Sequence, residues 1–473
     1  MSTWDNNWRT EIWQNIQQEW DVLIIGGGIT GAGILREATR AGLKALLVEQ
    51  KDFSYGTSSR SSKLVHGGLR YLKEGRIGLT RASVLERERL REAAPGLVDP
   101  IGFLFATQKG DRQTWMMMEA GLSLYDLLAT QWSHRYYEPK ELRMMAPHIN
   151  VEDLAGAFHY ADAQTDDSRL VLRVLHEAVH AGGVAVNYVS AVGLVREEGQ
   201  VVGATLRDEG LLEDGETKEV WARVVINATG AWVDKLRQDV GGEKRIRPLR
   251  GSHIVFPQWR FPVAQAVSFS HPVDGRPVMV YPWDGVTLVG TTDLDHEESL
   301  ETEPHISPEE VAYLMAAVEA QFPSLGITLD DVISTYAGVR PVIDTGQEDP
   351  SKESRDHVVW EEDGLLTVTG GKLTTFRLIA LDALGAAKPY LPELEIDFAA
   401  PALNEVVADL PQHLPQEVRR RLIGRYGRHA AELVAAAHEG ELERISGTTA
   451  LWAELRWAAR AEGVVHLEDL LLR

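Results

Sequence analysis

The apolar run Val22-Leu23-Ile24-Ile25, the turn Gly26-Gly27-Gly28-Ile29-Thr30-Gly31 and the helix-like segment after it predict strand, tight turn and helix in immediate succession. A second apolar run, Ala45-Leu46-Leu47-Val48, follows Gly42 and ends at Glu49. Helical spacing then marks 80–94, 114–130 and 170–181, and strand-like runs mark 184–188, 201–207 and 220–226. From 247 to 293 the pattern changes to short alternating strands at 252–256, 277–281 and 286–290, the last two joined through Trp283-Asp284-Gly285, a hairpin signal. A helix at 308–322, strands at 332–339 and 365–369 and a helix at 374–387 follow; past Pro389 and Pro392 the signals are helical only, from about 403 onward. Before the first strand, Trp4, Trp8, Ile12, Ile16 and Trp20 recur every four residues, a Trp-rich stripe on a helix. Arg9 is its only basic neighbour, so packing onto the domain is preferred to lying on a membrane.

These elements predict an α/β fold. A Rossmann-like dinucleotide-binding domain is expected from 21–246 with a return segment at 331–388. An inserted antiparallel-sheet substrate region occupies 247–330, a C-terminal helical domain 389–473, and an amphipathic extension 1–20. At 473 residues the chain is long enough for two or three packed units. Its 48 basic and 70 acidic residues leave a net charge of −22, which argues against nucleic acid as a partner and requires any anionic substrate to find a local basic pocket. No cysteine is present, which excludes disulfides, thiolate catalysis and cluster ligation; no metal site is expected. Without a secretory signal pattern or an apolar run of about 18 residues, a cytoplasmic location is expected.

Chemistry enters with the glycines. Gly26, Gly28 and Gly31 fall in GxGxxG register, so backbone can approach a pyrophosphate at a helix N-terminus, and Glu49 stands where an acid should bind ribose hydroxyls. Small residues recur at two later strand ends, Ala228-Thr229-Gly230 and Gly370-Gly371-Lys372. Three glycine-marked strand ends suit FAD, stretched across the sheet, better than NAD. The hydroxyl-rich loop with Thr57, Ser58, Ser59, Ser62 and Lys63 leads to His66-Gly67-Gly68, which suggests backbone packed against something flat.

Several segments together resemble the FAD-dependent, quinone-linked glycerol-3-phosphate dehydrogenases: 26–33, 57–59, Lys63-Leu64-Val65-His66-Gly67-Gly68-Leu69-Arg70-Tyr71, 227–230, Gly251-Ser252-His253, Gly290-Thr291-Thr292-Asp293, Gly338-Val339-Arg340-Pro341 and Gly370-Gly371-Lys372-Leu373-Thr374-Thr375. The resemblance implies oxidation of sn-glycerol 3-phosphate to dihydroxyacetone phosphate by hydride transfer to flavin N5. It also implies a quinone acceptor and peripheral contact with the cytoplasmic face of a membrane; a homodimer is among the expected assemblies. The alternatives are a glycerol-3-phosphate oxidase using oxygen, a related amine or amino-acid oxidase, and a flavin-binding regulatory protein.

Such a reaction needs a proton acceptor for the hydroxyl and a cage for the phosphate. Arg340, in an apolar context after a strand, is the first choice for the phosphate and Arg355 the second, both placed at substrate by the resemblance. Lys372 follows the double glycine where a flavin would end. Its expected role is to stabilise developing negative charge. The resemblance places Arg70 and Tyr71 in the substrate pocket, and Thr375 is expected to hydrogen-bond substrate. His253 is the best candidate base, because neutral imidazole accepts a proton near neutral pH. Leu373 and Thr374, with Gly370, Gly371 and Lys372, are expected at the cofactor. Arg419, Arg420, Arg421, Arg425 and Arg428 form a local basic cluster that reads as a solvated helix face in preference to a lipid contact.

Overall fold

The computed structural model describes every residue except 1–3, 5, 6, 70, 71, 73, 74, 130, 131, 211–214, 348–352, 354, 355 and 394. Two sheets form its frame. The first is parallel at its centre and runs His357–Glu362, Leu365–Gly370, Thr217–Asn227, Trp20–Ile25, Ala45–Val48, Val184–Val186 in spatial order. Within that row only His357–Glu362 is antiparallel to its neighbour. Val22 and Ile24 join one core with Leu35, Val174 and Ala380 from the helices Ile29–Arg40, Asp167–His180 and Phe376–Ala387. Leu23 and Ile25 join another, with Trp13, Ile16, Val201 and Leu206. Burial on both faces is why the run is continuously apolar rather than alternating. Each such Leu or Ile contributes about 1.5–3 kcal/mol by leaving water.

The Trp-rich stripe packs inward. Trp4, Ile16 and Trp20 are buried, Trp8 and Ile12 partly so, and Trp4 Nε1 donates to Ala185 O at 2.9 Å. Its helix covers only Trp8–Asn15, and Trp20 already begins the strand. Arg9 is itself buried and ion-paired to Asp208.

Among the described residues the second sheet has ten strands, antiparallel except where Ala266–Ser270 pairs with Val98–Gln108. Ile246–Pro257 is flanked by Ser334–Ile343 on one side and Val286–Gly290 on the other. The expected hairpin is present, and both Asp284 (φ 46°) and Gly285 (φ 87°) take the left-handed conformation its two-residue turn requires. The sheet is not confined to 247–330. Five of its strands come from segments assigned by sequence to the dinucleotide-binding domain: Leu64–Val65, Val98–Gln108, Arg135–Tyr137 and Leu154–Thr165 from its first part and Ser334–Ile343 from its return segment. Val98–Gln108 and Leu154–Thr165 carry Pro, Gly and Ala among their apolar residues, so cross-strand pairing, more than local propensity, makes them strands.

The C-terminal helices Gln416–Tyr426, Ala430–Ala435 and Trp452–Ala461 share a core that includes Leu422, Leu433 and Trp457, and a last short helix, Leu467–Leu471, follows them. They start later than the sequence suggested, because Leu403 still belongs to the first core and Pro411 and Pro415 interrupt the chain after it. Arg169 on Asp167–His180 ties the two units by donating to both oxygens of buried Glu462, at 2.8 and 2.7 Å. The basic cluster is largely paired: Arg420 with Asp99, Arg421 with Glu454, and Arg425 with Asp284 at 3.1 Å. Among the described residues no helix is long and apolar enough to cross a membrane.

Candidate functional site

The turn after Trp20–Ile25 is defined by close backbone approach. A Cβ on Gly31 would lie 1.9 Å from Gly26 O, and one on Gly26 (φ 117°) 2.5 Å from Ala228 O, so the turn closes against the end of Thr217–Asn227 only with glycine at both positions. Helix Ile29–Arg40 begins here, and its Ile29 N–H donates to Ser58 Oγ at 2.9 Å. Glu49 reaches the same turn: Oε2 accepts from Gly27 N (2.7 Å) and Oε1 from Lys51 N (2.9 Å). Burial pushes its carboxyl pKa up, opposed by those donors.

A cavity of about 880 Å³ opens at this turn and brings the three strand ends together. Gly26, Gly28, Glu49, Thr57 and Ser58 line one part; Ala228, Thr229 and Gly230 line the next, and Gly370, Gly371, Lys372 and Leu373 another. Gly370 and Gly371 both have positive φ, 79° and 76°, which lets the strand end turn sharply into the helix Phe376–Ala387.

Other residues expected at the cofactor serve the wall behind the cavity. Gly31 acts by packing, as above. Ser59 Oγ donates back to Gly56 O at 3.4 Å. Lys63 is buried, with Nζ on Asp167 Oδ1 (2.7 Å) and Ser59 O (3.0 Å) and over the Trp283 ring (4.8 Å). Gly67 N donates to Asp162 Oδ1 at 3.1 Å, and a Cβ there would strike Tyr125 Oη; neighbouring Gly68 takes φ 78°. Buried Thr374 donates to His66 O (3.2 Å), and buried Thr375 to Lys372 O (3.5 Å), so these hydroxyls fix the turn before the helix.

Beside the cavity lies a polar cluster on the second sheet. Pairing sets Gly251 opposite Gly338 and places His253 between Tyr336 and Gly290. The His253 and Tyr336 rings stack 4.6 Å apart at 8°. Arg340 extends over Gly251, where a Cβ would come within 2.3 Å of Nη2; Nη1 donates to Asp293 Oδ1 (2.6 Å) and Nη2 to Thr291 Oγ1 (3.2 Å). Ser62 Oγ sits 2.9 Å from His253 Nε2, and Tyr336 Oη donates to the carbonyl of Ser61, which itself lines the cavity. One loop is thus shared by cavity and cluster. His253 is buried and its pKa is pushed down to about 3, first by burial and then by the charges of Arg340 and Lys63, so it is a neutral imidazole at ordinary pH. Arg70, Tyr71 and Arg355 lie outside the described residues.

Sequence reasoning missed one side of the cavity, where Tyr188, Ser190, Arg207, Lys235 and Glu301 contribute, together with His466 from the C-terminal unit. Tyr188 and His466 meet edge to face at 4.5 Å, and Tyr188 Oη donates to Asp469 Oδ1 at 2.5 Å. No local motif marks these positions; the pairing of 189–197 with 200–208 sets Ser190 opposite Arg207, and the others come from distant segments. Gly27 was also missed, although the triple glycine was visible: a Cβ there would lie 2.7 Å from Glu49 Cβ.

The residues present fit an FAD. The cradle has no room for a side chain at Gly26, Gly31, Gly370 or Gly371, hydroxyl-bearing Thr57, Ser58 and Ser190 line the cavity, and Trp232 Nε1, on a cavity-lining residue, is buried without a partner among the described residues. A family model described as FAD dependent oxidoreductase matches residues 21–377, and one described as the C-terminal domain of alpha-glycerophosphate oxidase matches 382–473. The aerobic glycerol-3-phosphate dehydrogenase of Staphylococcus aureus is 34% identical, over 98% of this chain and 88% of its own. Among solved structures, the glycerol-3-phosphate dehydrogenase from Bacillus halodurans complexed with FAD superposes with a TM-score of 0.79 at 30% identity, over 99% of this chain and 88% of that one. The L-alpha-glycerophosphate oxidase from Mycoplasma pneumoniae, with FAD bound, shares the fold at a TM-score of 0.64 and 17% identity, over 83% of this chain and all of that one.

Proposed function

The chain belongs to the FAD-dependent oxidoreductase family and, within it, to the glycerol-3-phosphate dehydrogenases, and from that membership we propose that it oxidises sn-glycerol 3-phosphate to dihydroxyacetone phosphate and passes the electrons to a quinone as a peripheral protein at a membrane surface. Bound in the glycine-lined cavity, FAD supplies the two-electron acceptor. The observation that carries the substrate reading is the pairing of a half-buried arginine, Arg340, with a buried neutral histidine, His253, on the sheet face next to that cavity. Arg340 holds the phosphate through its planar fork. His253 takes the hydroxyl proton, with Ser62 and the Tyr336 ring fixing its plane.

Burial is the main cause of the low proton affinity of His253 and the Arg340 charge a smaller one; a phosphate dianion seated on Arg340 offsets the second alone, so binding the substrate brings the base part of the way back. Lys372, at the cavity wall, would hold positive charge beside a bound flavin, whose ring gains negative charge on reduction.

The test is the visible spectrum of the purified holoprotein under anaerobic conditions, before and after sn-glycerol 3-phosphate. Flavin bands that bleach with this compound but not with glycerol or amino acids support the reading, and bands that persist overturn it. Oxygen as acceptor is a second reading, favoured by the match of 382–473 to a domain described for alpha-glycerophosphate oxidase. Stoichiometric peroxide during turnover in air would establish that acceptor in place of the quinone.

A further inference from the structure

The parallel strands of the first sheet end side by side, and their ends give the cavity a direction. In spatial order the cavity meets Gly370-Gly371-Lys372, Ala228-Thr229-Gly230, Gly26 with Gly28, Glu49, and the segment 188–190 that follows Val184–Val186. The helix N-terminus after Gly28 suits the pyrophosphate, in the middle of this row, and Glu49 on the next strand suits the ribose. The flavin ring then belongs toward Gly370, and the adenine belongs one strand beyond Glu49. Backbone bonds hold that next segment against Glu49: Val189 N donates to Glu49 O at 2.8 Å and Tyr188 N to Lys51 O at 3.0 Å.

The cavity wall at this end is a corner of two rings from distant parts of the chain. Half-buried Tyr188 and exposed His466 both line it, with ring centroids 4.5 Å apart at 69°, so a flat ring lying on one meets the edge of the other. A single buried carboxylate sets the corner. Asp469 Oδ1 accepts from Tyr188 Oη at 2.5 Å, and Oδ2 accepts from Val465 N and His466 N at 2.8 and 2.9 Å. The residues on either side are tied to the same rim: Asn187 Nδ2 donates to Gly463 O (2.8 Å) and Asp52 Oδ1 (2.9 Å), and Arg473 Nε to Asp52 Oδ2 (2.7 Å). Beside the rings, Arg207 donates from Nε and Nη2 to Glu209 Oε1 at 2.8 and 2.7 Å, so the pair adds no net charge next to a flat neutral base.

From this order and this corner we infer that Tyr188 and His466 form the adenine seat of the FAD site, that Asp469 is the positioning residue for both rings, and that the C-terminal unit thereby recognises the cofactor directly. The seat serves the adenosine half of FAD alone. It depends on neither the substrate nor the electron acceptor proposed above.

The flavin-free full-length chain, titrated with FAD and with ADP as competitor for FAD uptake, tests this in His466→Ala and His466→Phe. Loss of one base–aromatic contact should raise the FAD dissociation constant of His466→Ala by about tenfold, whereas His466→Phe, which keeps a flat ring, should stay within about threefold of wild type. The inhibition constant of ADP, which carries adenosine and pyrophosphate without the flavin, should rise in His466→Ala by the same factor as that of FAD. Because His466 is exposed, the thermal midpoint of the flavin-free chain should not move, which separates loss of the seat from loss of the fold. Wild-type affinity for FAD and ADP in His466→Ala overturns the inference, as does weakened FAD binding with unchanged ADP binding, or a Phe variant as weak as the Ala variant. Since sn-glycerol 3-phosphate enters neither titration, a flavin that this compound does not bleach overturns the proposed substrate and leaves the adenine seat standing.

Discussion

A methyl group added at Gly251 would come within 2.3 Å of the Arg340 guanidinium. The far end of an arginine can swing aside, so Gly251→Ala is expected to fold and hold flavin while losing phosphate affinity, by about tenfold or more in half-saturating substrate. Flavin content and reductive titration on one sample check both halves. His253 gives a second outcome at this scale. Its folded pKa lies near 3 against an ordinary 6.5, so between those values the unfolded chain binds a proton that the folded chain does not. Stability therefore falls as pH drops through 6.5 toward 3, and rises again with pH. Denaturant titrations at pH 7, 5.5 and 4.5 should show wild type losing more stability over that span than His253→Gln, which lacks the titrating ring. At the residue scale Arg340, His253 and Lys372 were expected at the site because each stands beside glycines in a rare local pattern; the structure sets Arg340 near His253 and Lys372 in the cavity wall. Asp293 was not assigned, since an ion pair between strands leaves no trace in local spacing.

Among the elements, the strand, turn and helix from Trp20 to Arg40 were the most legible. A run buried on both faces and a triple glycine leave few alternatives. The same closeness makes the unit brittle: Gly31→Ala would set a Cβ 1.9 Å from Gly26 O, backbone that cannot swing away. Overpacking of that kind costs about 1–3 kcal/mol or more, and the displaced turn would no longer fit a pyrophosphate. The variant should purify with little or no flavin, read from the ratio of visible to ultraviolet absorbance, whereas Gly42→Ala, where a Cβ meets nothing within 4 Å, should keep its flavin despite a positive φ. Val98–Gln108 and Leu154–Thr165 were the least legible elements. Each pairs along nearly its whole length with the other, 55 residues apart at Leu104 and His159, a partnership that no window of a dozen residues contains.

For the molecule as a whole, the C-terminal helices are held by a buried charge pair. Burial alone would raise the Glu462 pKa, but Arg169 and His176 override it and hold the carboxylate well below its usual range. Glu462→Ala strands Arg169 in the interior and should cost about 3–5 kcal/mol, seen as a lower thermal midpoint. The Glu462 contribution in wild type is present above the ordinary carboxylate pKa and fades as pH falls through and below it. Since His466 of the same unit lines the cavity, loosening that clasp should also speed loss of flavin, measured by dilution.

One neighbour of the central strand Trp20–Ile25, Ala45–Val48, follows at once, but those on its other side arrive late in the chain: Thr217–Asn227 lies beside it, and Leu365–Gly370 lies beside that. At about 5–20 residues per second, a ribosome needs roughly 15–70 s to travel from Ile25 to Leu365. Through that interval the nascent chain carries apolar strands with open edges, the surfaces on which holding chaperones act and aggregates begin. The third wall of the cofactor cradle, Gly370 to Leu373, is made more than 340 residues after Gly26 of the first, so a cradle complete enough to hold flavin is absent while the first motif and the strands after it are being made.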